Sequence, residues 1–61
     1  MTRYRVMVRR EFPSQDGYDY MDDEASGLLH TTKEYADKEI ESYYEDPRLA
    51  GESFWIKEVD T

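Results

Sequence analysis

The absence of cysteine most constrains what this chain of 61 residues can fold into. A domain this short buries only about 60% of the surface of its unfolded chain, and disulfides or metal sites often supplement so small a core. Without cysteine, disulfides and cysteine-based zinc sites are both excluded. We therefore expect residues 1–61 to form a single domain that depends on a small apolar core.

The composition also bears on where the protein acts. A chain without cysteine is compatible with a reducing compartment. No apolar run approaches the roughly 20 residues of a membrane span, and the first residues alternate in polarity instead of forming an apolar signal core. The expectation is a cytoplasmic protein with no membrane partner.

The first half of the chain has the pattern of a β-hairpin. Tyr4, Val6 and Val8 alternate with three arginines and Met7, which predicts a half-buried strand over residues 3–12. The turn-forming residues 13–17 follow, and the alternation then resumes, so a second antiparallel strand is expected to begin near Gly17. Whether this strand continues past a bulge as far as Leu29 is left open by the sequence.

A helix is predicted over residues 32–45. Thr31 and Glu34 have the spacing of a capping box, in which each side chain hydrogen-bonds to the backbone of the other residue. Ala36, Ile40 and Tyr43 follow at helical spacing and would face the core. The helix should end at Asp46, because the residue before a proline is disfavoured in helical conformation.

The last strand is predicted over residues 53–59, which completes the order strand–strand–helix–strand. The expected fold class is α+β, with a ββαβ order, a three-stranded antiparallel sheet, the first strand in the middle and one helix on one face. The expected core is Tyr4, Val6, Val8, Ala36, Ile40, Tyr43, Phe54 and Ile56, with Leu28, Leu29 and Leu49 closing its ends.

The other face of this sheet has no element to cover it. It would carry Arg5 and Met7 of the first strand beside Trp55 and Lys57 of the last, a set that we predict as a partner-binding or dimer face. Arginines beside a tryptophan could also stack on nucleic-acid bases. The sequence offers a simpler use, in which Arg3, Arg5 and Arg9 pair across strands with Asp19 and Glu58.

Charge is unevenly distributed along the chain. The formal net charge is −7, and residues 11–61 hold all 15 acids but only four of the eight bases, a balance of −11. Such a charge is explained either by the solubility of a small domain or by an anionic surface that repels nucleic acids and attracts a basic protein. Carboxylates on successive helical turns lie roughly 5–6 Å apart, which is close to the spacing of phosphates along a nucleic-acid strand. The predicted partner-binding acids are Asp19, Asp22, Asp23, Glu24, Glu34, Asp37, Glu41 and Glu45.

Nothing in the sequence indicates catalysis. His30 is the single histidine and precedes the helix cap, and there is no phosphate-binding glycine loop, nucleophile elbow or histidine pair for a metal. The acids from Asp16 onwards do not make a calcium loop, because the third position is Tyr18. We expect a protein that is not an enzyme and has no catalytic residues, no cofactor and no metal.

In size, element order and acidity the chain resembles small inhibitors encoded by bacteriophages. The residues that carry the resemblance are Tyr4–Val8, the acidic hairpin Asp16–Glu24, the capped helix Thr31–Asp46 and Phe54–Val59. Two groups are similar in this way: anti-CRISPR proteins that block DNA binding by a Cas nuclease, and inhibitors of uracil-DNA glycosylase. The resemblance lies in topology and charge, implies no residue roles, and departs from a uniformly acidic mimic at the arginine-rich first strand.

Two hypotheses follow for the function. The first is a small acidic inhibitor that occupies the basic site of a nucleic-acid-binding host protein, of anti-CRISPR or DNA-mimic type, in the host cytoplasm. The alternative is a structural or accessory module that self-associates as a homodimer through the open sheet face. In both cases the partner is a protein, and direct nucleic-acid binding is not expected.

Overall fold

The computed structural model describes residues 1–61 and contains three strands and one helix. The elements are β1 (Thr2–Ser14), β2 (Gly17–Glu24), α1 (Lys33–Tyr44) and β3 (Ser53–Asp60). The strands form one antiparallel sheet in the order β2-β1-β3, so β2 and β3 are its edges. The expected α+β fold of ββαβ order, with the first strand in the middle, is confirmed.

A tight turn sets the register of the hairpin. Ser14 lies opposite Gly17, so only Gln15 and Asp16 connect β1 with β2. Gly17 has a φ of +121°, which residues with a Cβ rarely adopt, and glycine is therefore favoured at this position. The register that results decides which side chains of β2 share a face with those of β1.

The end of β2 answers the question that the sequence left open. Strand pairing stops at Glu24, although the amide of Ala25 still donates to the carbonyl of Val6, and the chain then leaves the sheet before it returns to β1. There His30 pairs with Tyr4 through two backbone hydrogen bonds of 2.9 and 2.7 Å. The second strand therefore does not continue to Leu29, although the sheet regains one antiparallel bridge beyond the loop.

Helix α1 begins one residue later than predicted, and its cap differs from the predicted capping box. Thr32 is the N-cap, and its hydroxyl accepts a hydrogen bond of 3.3 Å from the amide of Tyr35. The prediction of a box formed by Thr31 and Glu34 was wrong, because the third helical position is occupied by Tyr35, which has no carboxylate to reach back. At the other end, Glu45 is the C-cap, close to the predicted end.

The core is small. Only Val6, Met7, Val8 and Ala36 are buried. Val6 and Val8 of β1 lie on the face that α1 covers, and Tyr43 stacks on Phe54 of β3 with ring centroids 4.9 Å apart. Tyr44 meets the same Phe54 ring edge-on at 5.6 Å. The helix is thus attached at both ends, by Ala36 in its first turn and by Tyr43 and Tyr44 in its last.

Several expected core residues are less buried than predicted. Leu28 and Leu29 lie in the loop over residues 25–29 and are 57% and 43% exposed, so the prediction that they close the core was wrong. The physical reason is the departure of this loop from the sheet, which carries both side chains into solvent. The other predicted core members are half-buried: Tyr4, Ile40, Tyr43, Leu49, Phe54 and Ile56.

The distal half of the hairpin extends beyond the rest of the fold. Helix α1 packs against β1 and β3 but not against β2, and β3 pairs with β1 only as far as Arg9. Every residue of Arg10–Met21 is exposed, and we call this segment the arm. The molecule measures 40 × 28 × 13 Å with a radius of gyration of 12.9 Å. A compact domain of this length would have a radius of gyration of about 10.5 Å.

Candidate partner-binding surfaces

Four carboxylates form a stripe along α1 on the side away from the sheet. Glu34, Asp37, Glu41 and Glu45 follow one another at spacings of three or four residues, which places them on one helical face. All four are exposed, and none is within 4 Å of a basic group. At 1.5 Å of rise per residue the acidic stripe is about 16 Å long.

The acidic stripe does not stabilise the helix that carries it. Asp37, Glu41 and Glu45 are like charges at successive i,i+4 positions, which destabilises a helix by about 0.2–0.5 kcal/mol per pair. The last turn contains no basic residue, so the negative end of the helix dipole lies beside further negative charge. Lys38 lies 5.7 Å from the centre of the Tyr35 ring and makes no ion pair with the stripe.

The predicted hairpin acids do not form one surface. In the observed register Asp19 and Asp23 share a face with Phe12 and Val8, which is the side of the sheet that carries α1. Both carboxylates lack a basic partner. Because α1 does not reach β2, this part of the sheet is uncovered beside the helix.

Asp22 and Glu24 lie on the opposite face and are paired with arginines. Arg9 donates two hydrogen bonds to Asp22, of 2.9 and 3.1 Å, and Arg5 forms a 2.9 Å ion pair with Glu24. The hydrogen bond from Arg9 lowers the pKa of Asp22. The predicted cross-strand partners of the arginines were wrong: Asp19 lies opposite Phe12, and Glu58 lies on the helix side.

The open sheet face brings together the predicted set of Arg5, Met7, Trp55 and Lys57. Met7 lies opposite Trp55, and Arg5 lies opposite Lys57. No secondary-structure element covers this face, as expected, but Met7 is only 8% exposed because long neighbouring side chains lie across it. The Arg9 guanidinium lies 4.2 Å from the centre of the Tyr20 ring and 5.9 Å from that of Trp55.

Two buried donors on this face have no acceptor. Arg5 Nε and Trp55 Nε1 are buried without a hydrogen-bond partner. The Trp55 indole faces Asp22 and contributes to the lowering of its pKa after Arg9, but its geometry falls short of a hydrogen bond. The middle of the face is thus a packed layer of arginine, aromatic and carboxylate groups.

A polar cluster that the sequence did not reveal fastens the loop over residues 25–29 to α1. Glu39 accepts hydrogen bonds from Tyr43 (2.7 Å) and Ser26 (3.0 Å) and lies 2.6 Å from His30 Nε2. Burial raises the pKa of Glu39, but the hydrogen bonds from Tyr43, His30 and Ser26 outweigh it, so its pKa lies below the ordinary value of 4.5. The only sequence signal was a glutamate beside Ile40 on the inward side of the helix.

The cluster has the geometry of a structural fastening. The Glu39 side chain is only 9% exposed, and both of its oxygens are engaged with neighbours from the loop and the helix. Burial, followed by the hydrogen bond to Glu39, raises the pKa of Tyr43, so its hydroxyl keeps its proton. No activated nucleophile adjoins His30, and the cluster joins the loop to the helix.

The chain offers little room for a small ligand. One shallow cavity of about 80 Å³ lies between the base of the arm and the C-terminal end of α1. Its walls are formed by Val8, Arg10, Glu24, Ala25, Tyr43, Leu49, Glu52 and Phe54. This volume is well below the roughly 300 Å³ at which ligand pockets begin. No group of three or more potential metal ligands occurs, and no helix has the length and apolarity to cross a membrane.

Comparisons with family models, with curated proteins and with solved structures found no match for this chain. The surfaces themselves are therefore the basis for any functional inference. They are the acidic stripe of α1, the exposed arm and the open sheet face.

Proposed function

We propose that this chain is a small binding protein, without enzymatic activity, that inhibits a nucleic-acid-binding host protein. In this proposal the acidic stripe of α1 occupies the basic site that normally holds nucleic acid, as in an inhibitor of anti-CRISPR or DNA-mimic type. The protein would act in the cytoplasm of the host cell and need no cofactor.

One observation carries the proposal: the four carboxylates of the acidic stripe are exposed and unpaired although this arrangement weakens the helix. Elsewhere in the chain, Asp22, Glu24 and Asp46 do have arginine partners. Unpaired charge on one face is typical of a surface that meets opposite charge on a partner, where it increases the rate and the specificity of association.

Asp19 and Asp23 support the same surface from the sheet. They lie on the side that carries α1, and the helix leaves them uncovered. Asp22 and Glu24 contribute little to it, since they face the other way and are neutralised by arginines. The proposed binding surface therefore comprises the acidic stripe with Asp19 and Asp23, and is smaller than the set predicted from the sequence.

The test uses two purified probes, a Cas nuclease loaded with guide RNA and a uracil-DNA glycosylase. The wild-type chain should inhibit DNA binding by at least one of them, and the affinity should fall steeply as salt is raised from 50 to 200 mM. The variant E34K/D37K/E41K should lose at least about tenfold in affinity, which corresponds to about 1.4 kcal/mol.

A matched neutral variant, E34Q/D37N/E41Q, keeps side-chain size and separates loss of charge from charge reversal. We expect an intermediate loss, with helical circular dichroism retained in both variants. Inhibition that ignores salt, or that survives the charge reversal, would contradict the proposal.

A further inference from the structure

The distribution of charge along the open sheet face supports an inference that goes beyond the proposed function. Its central part is neutralised by the ion pairs of Arg5 with Glu24 and of Arg9 with Asp22. The face continues in both directions from this centre, because β1 spans the length of the sheet and its odd-numbered side chains all point to this side. The two ends of the face carry opposite charge.

One end is cationic. Arg3 lies beside Val59, and Lys57 lies opposite Arg5. Neither Arg3 nor Lys57 has an acidic group within 4 Å. Two free positive charges therefore remain at this end, in a protein whose net charge is −7.

The other end, formed by the arm, is anionic and aromatic. Glu11 has no basic group within 4 Å and lies opposite Tyr20, and Tyr18 lies opposite Pro13. Tyr20 and Tyr18 are 56% and 81% exposed. Tyrosine rings exposed beside an unpaired carboxylate are suited to contact with arginine or lysine, through both cation–π and ionic interactions.

We propose that this face binds a second copy of the chain, face to face. The two-fold axis lies in the plane between the two sheets and runs perpendicular to the strands. Such an axis reverses the strand direction and places the anionic end of each copy on the cationic end of the other. Glu11 then meets Arg3 and Lys57 of the second copy, and Tyr18 and Tyr20 pack over the same end. The contact is self-complementary, as a two-fold interface requires, and each charge contact occurs twice.

The area of the face fits a reversible dimer. The molecule is 40 Å long. A width of two to three strands at about 4.8 Å each gives a face of roughly 400–550 Å² per copy, or about 1,000 Å² in total. This lies at the lower limit for a specific interface, so association in the micromolar to millimolar range is expected.

The net charge does not prevent this arrangement. Face-to-face sheets lie about 10 Å apart, and each copy carries α1 on its outer side, so the two acidic stripes would be roughly 30 Å from each other. The Debye length at 0.15 M salt is about 8 Å, so their mutual repulsion is screened, whereas the charges in contact are not. Both acidic stripes remain exposed in the dimer, and the two surfaces can act independently.

Sedimentation velocity from 5 µM to 1 mM at 0.15 M salt tests the proposal. The wild-type chain should shift with concentration from its monomer mass of 7.3 kDa toward twice that value. Glu11→Lys and Lys57→Glu should each weaken dimerisation about tenfold, because each places like charges in two symmetric contacts. The double variant E11K/K57E restores the opposite charges between positions 11 and 57 and should recover part of the lost affinity, because the positive charge introduced at position 11 still faces Arg3 of the second copy.

Glu41→Lys, on the acidic stripe of the opposite side, is the matched control and should leave the dimerisation constant within about twofold of the wild type. Tyr18→Ser removes an exposed ring without changing charge and should also weaken the dimer. A wild-type chain that is monomeric at 1 mM overturns the proposal. So does a charge exchange that fails to recover affinity while circular dichroism shows a folded protein.

Discussion

The two halves of β1 belong to one continuous strand but have very different surroundings. In the first half Val6 and Val8 are 1% and 4% exposed. There β3 lies on one side of β1, the end of β2 and the His30 bridge lie on the other side, and α1 covers the face that carries both valines. In the second half Phe12 lies on the same face as Val6 and Val8 but is 40% exposed, because only β2 lies beside it. A two-stranded ribbon alone is at best marginally stable in water. Alternation therefore predicts a strand, whereas neighbouring elements decide whether its apolar side becomes core.

The largest expected effect on stability comes from replacing one apolar side chain by alanine in each half of β1. Val6→Ala should lower the free energy of unfolding by roughly 2–3 kcal/mol, from lost burial and a residual cavity. A core this small rarely supplies more than about 3–5 kcal/mol, so much of the variant would be unfolded. Phe12→Ala in the arm should cost less than about 0.5 kcal/mol. Urea denaturation followed by Trp55 fluorescence measures both.

The two outcomes are informative together. If Phe12→Ala destabilised the protein as much as Val6→Ala, the arm would have a buried environment in solution, and the contrast between the halves would be lost. Measurement at 5 µM and at 1 mM shows whether a second copy supplies that environment.

A second prediction concerns the hydrogen-bonded cluster around Glu39, which lies outside the arm and has no counterpart within it. Glu39→Gln should cost roughly 1–2 kcal/mol, because hydrogen bonds to a buried carboxylate are replaced by weaker ones. The pKa of Glu39 lies below its ordinary value of 4.5, so its contribution to stability is complete above that pH and is lost as the pH falls through the lower, folded pKa.

Urea titrations at pH 7, 4 and 3 would check the sign. The Glu39→Gln variant should lose less stability than the wild type between pH 7 and pH 3. The variant should still lose some stability between these pH values, because Asp22 and Asp46 also have lowered pKa values. Equal acid sensitivity in the two proteins would contradict the role given to Glu39.

The smallest global effect is expected at the tip of the arm. Gly17→Ala introduces a Cβ at a φ of +121°, which should cost about 1 kcal/mol or more locally. Because the arm adds few buried contacts, the global free energy of unfolding should change by less than about 0.5 kcal/mol. Amide hydrogen exchange should show faster exchange within Arg10–Met21 and unchanged protection around Val6. Loss of protection in both regions would show that arm and body unfold together.

The architecture could be predicted from sequence because period-two alternation and helical spacing are local signals. These signals directly predict that the side chains of Val6 and Ala36 point into the core. The arginine pairs could not be predicted, because they depend on the register, and the register depends on the turn at Gln15 and Asp16. A slip by one residue would move every side chain of β2 to the other face.

The site was only partly predictable for a similar reason. The acidic stripe of α1 follows from spacing alone. The Glu39 cluster depends on where the loop over residues 25–29 returns to the sheet, and that return is set by tertiary contacts at His30. Alternation places Met7 on the solvent side of β1, but neighbouring side chains on that face bury it.

The position of β2 at the edge of the sheet has a consequence for aggregation. Its outer side has no neighbouring strand, and such an edge can template the addition of further strands. Four acids lie on this strand: Asp19, Asp22, Asp23 and Glu24. Their charge opposes edge-to-edge joining of copies at neutral pH. Loss of that charge is therefore expected to promote fibrillar aggregation through this edge.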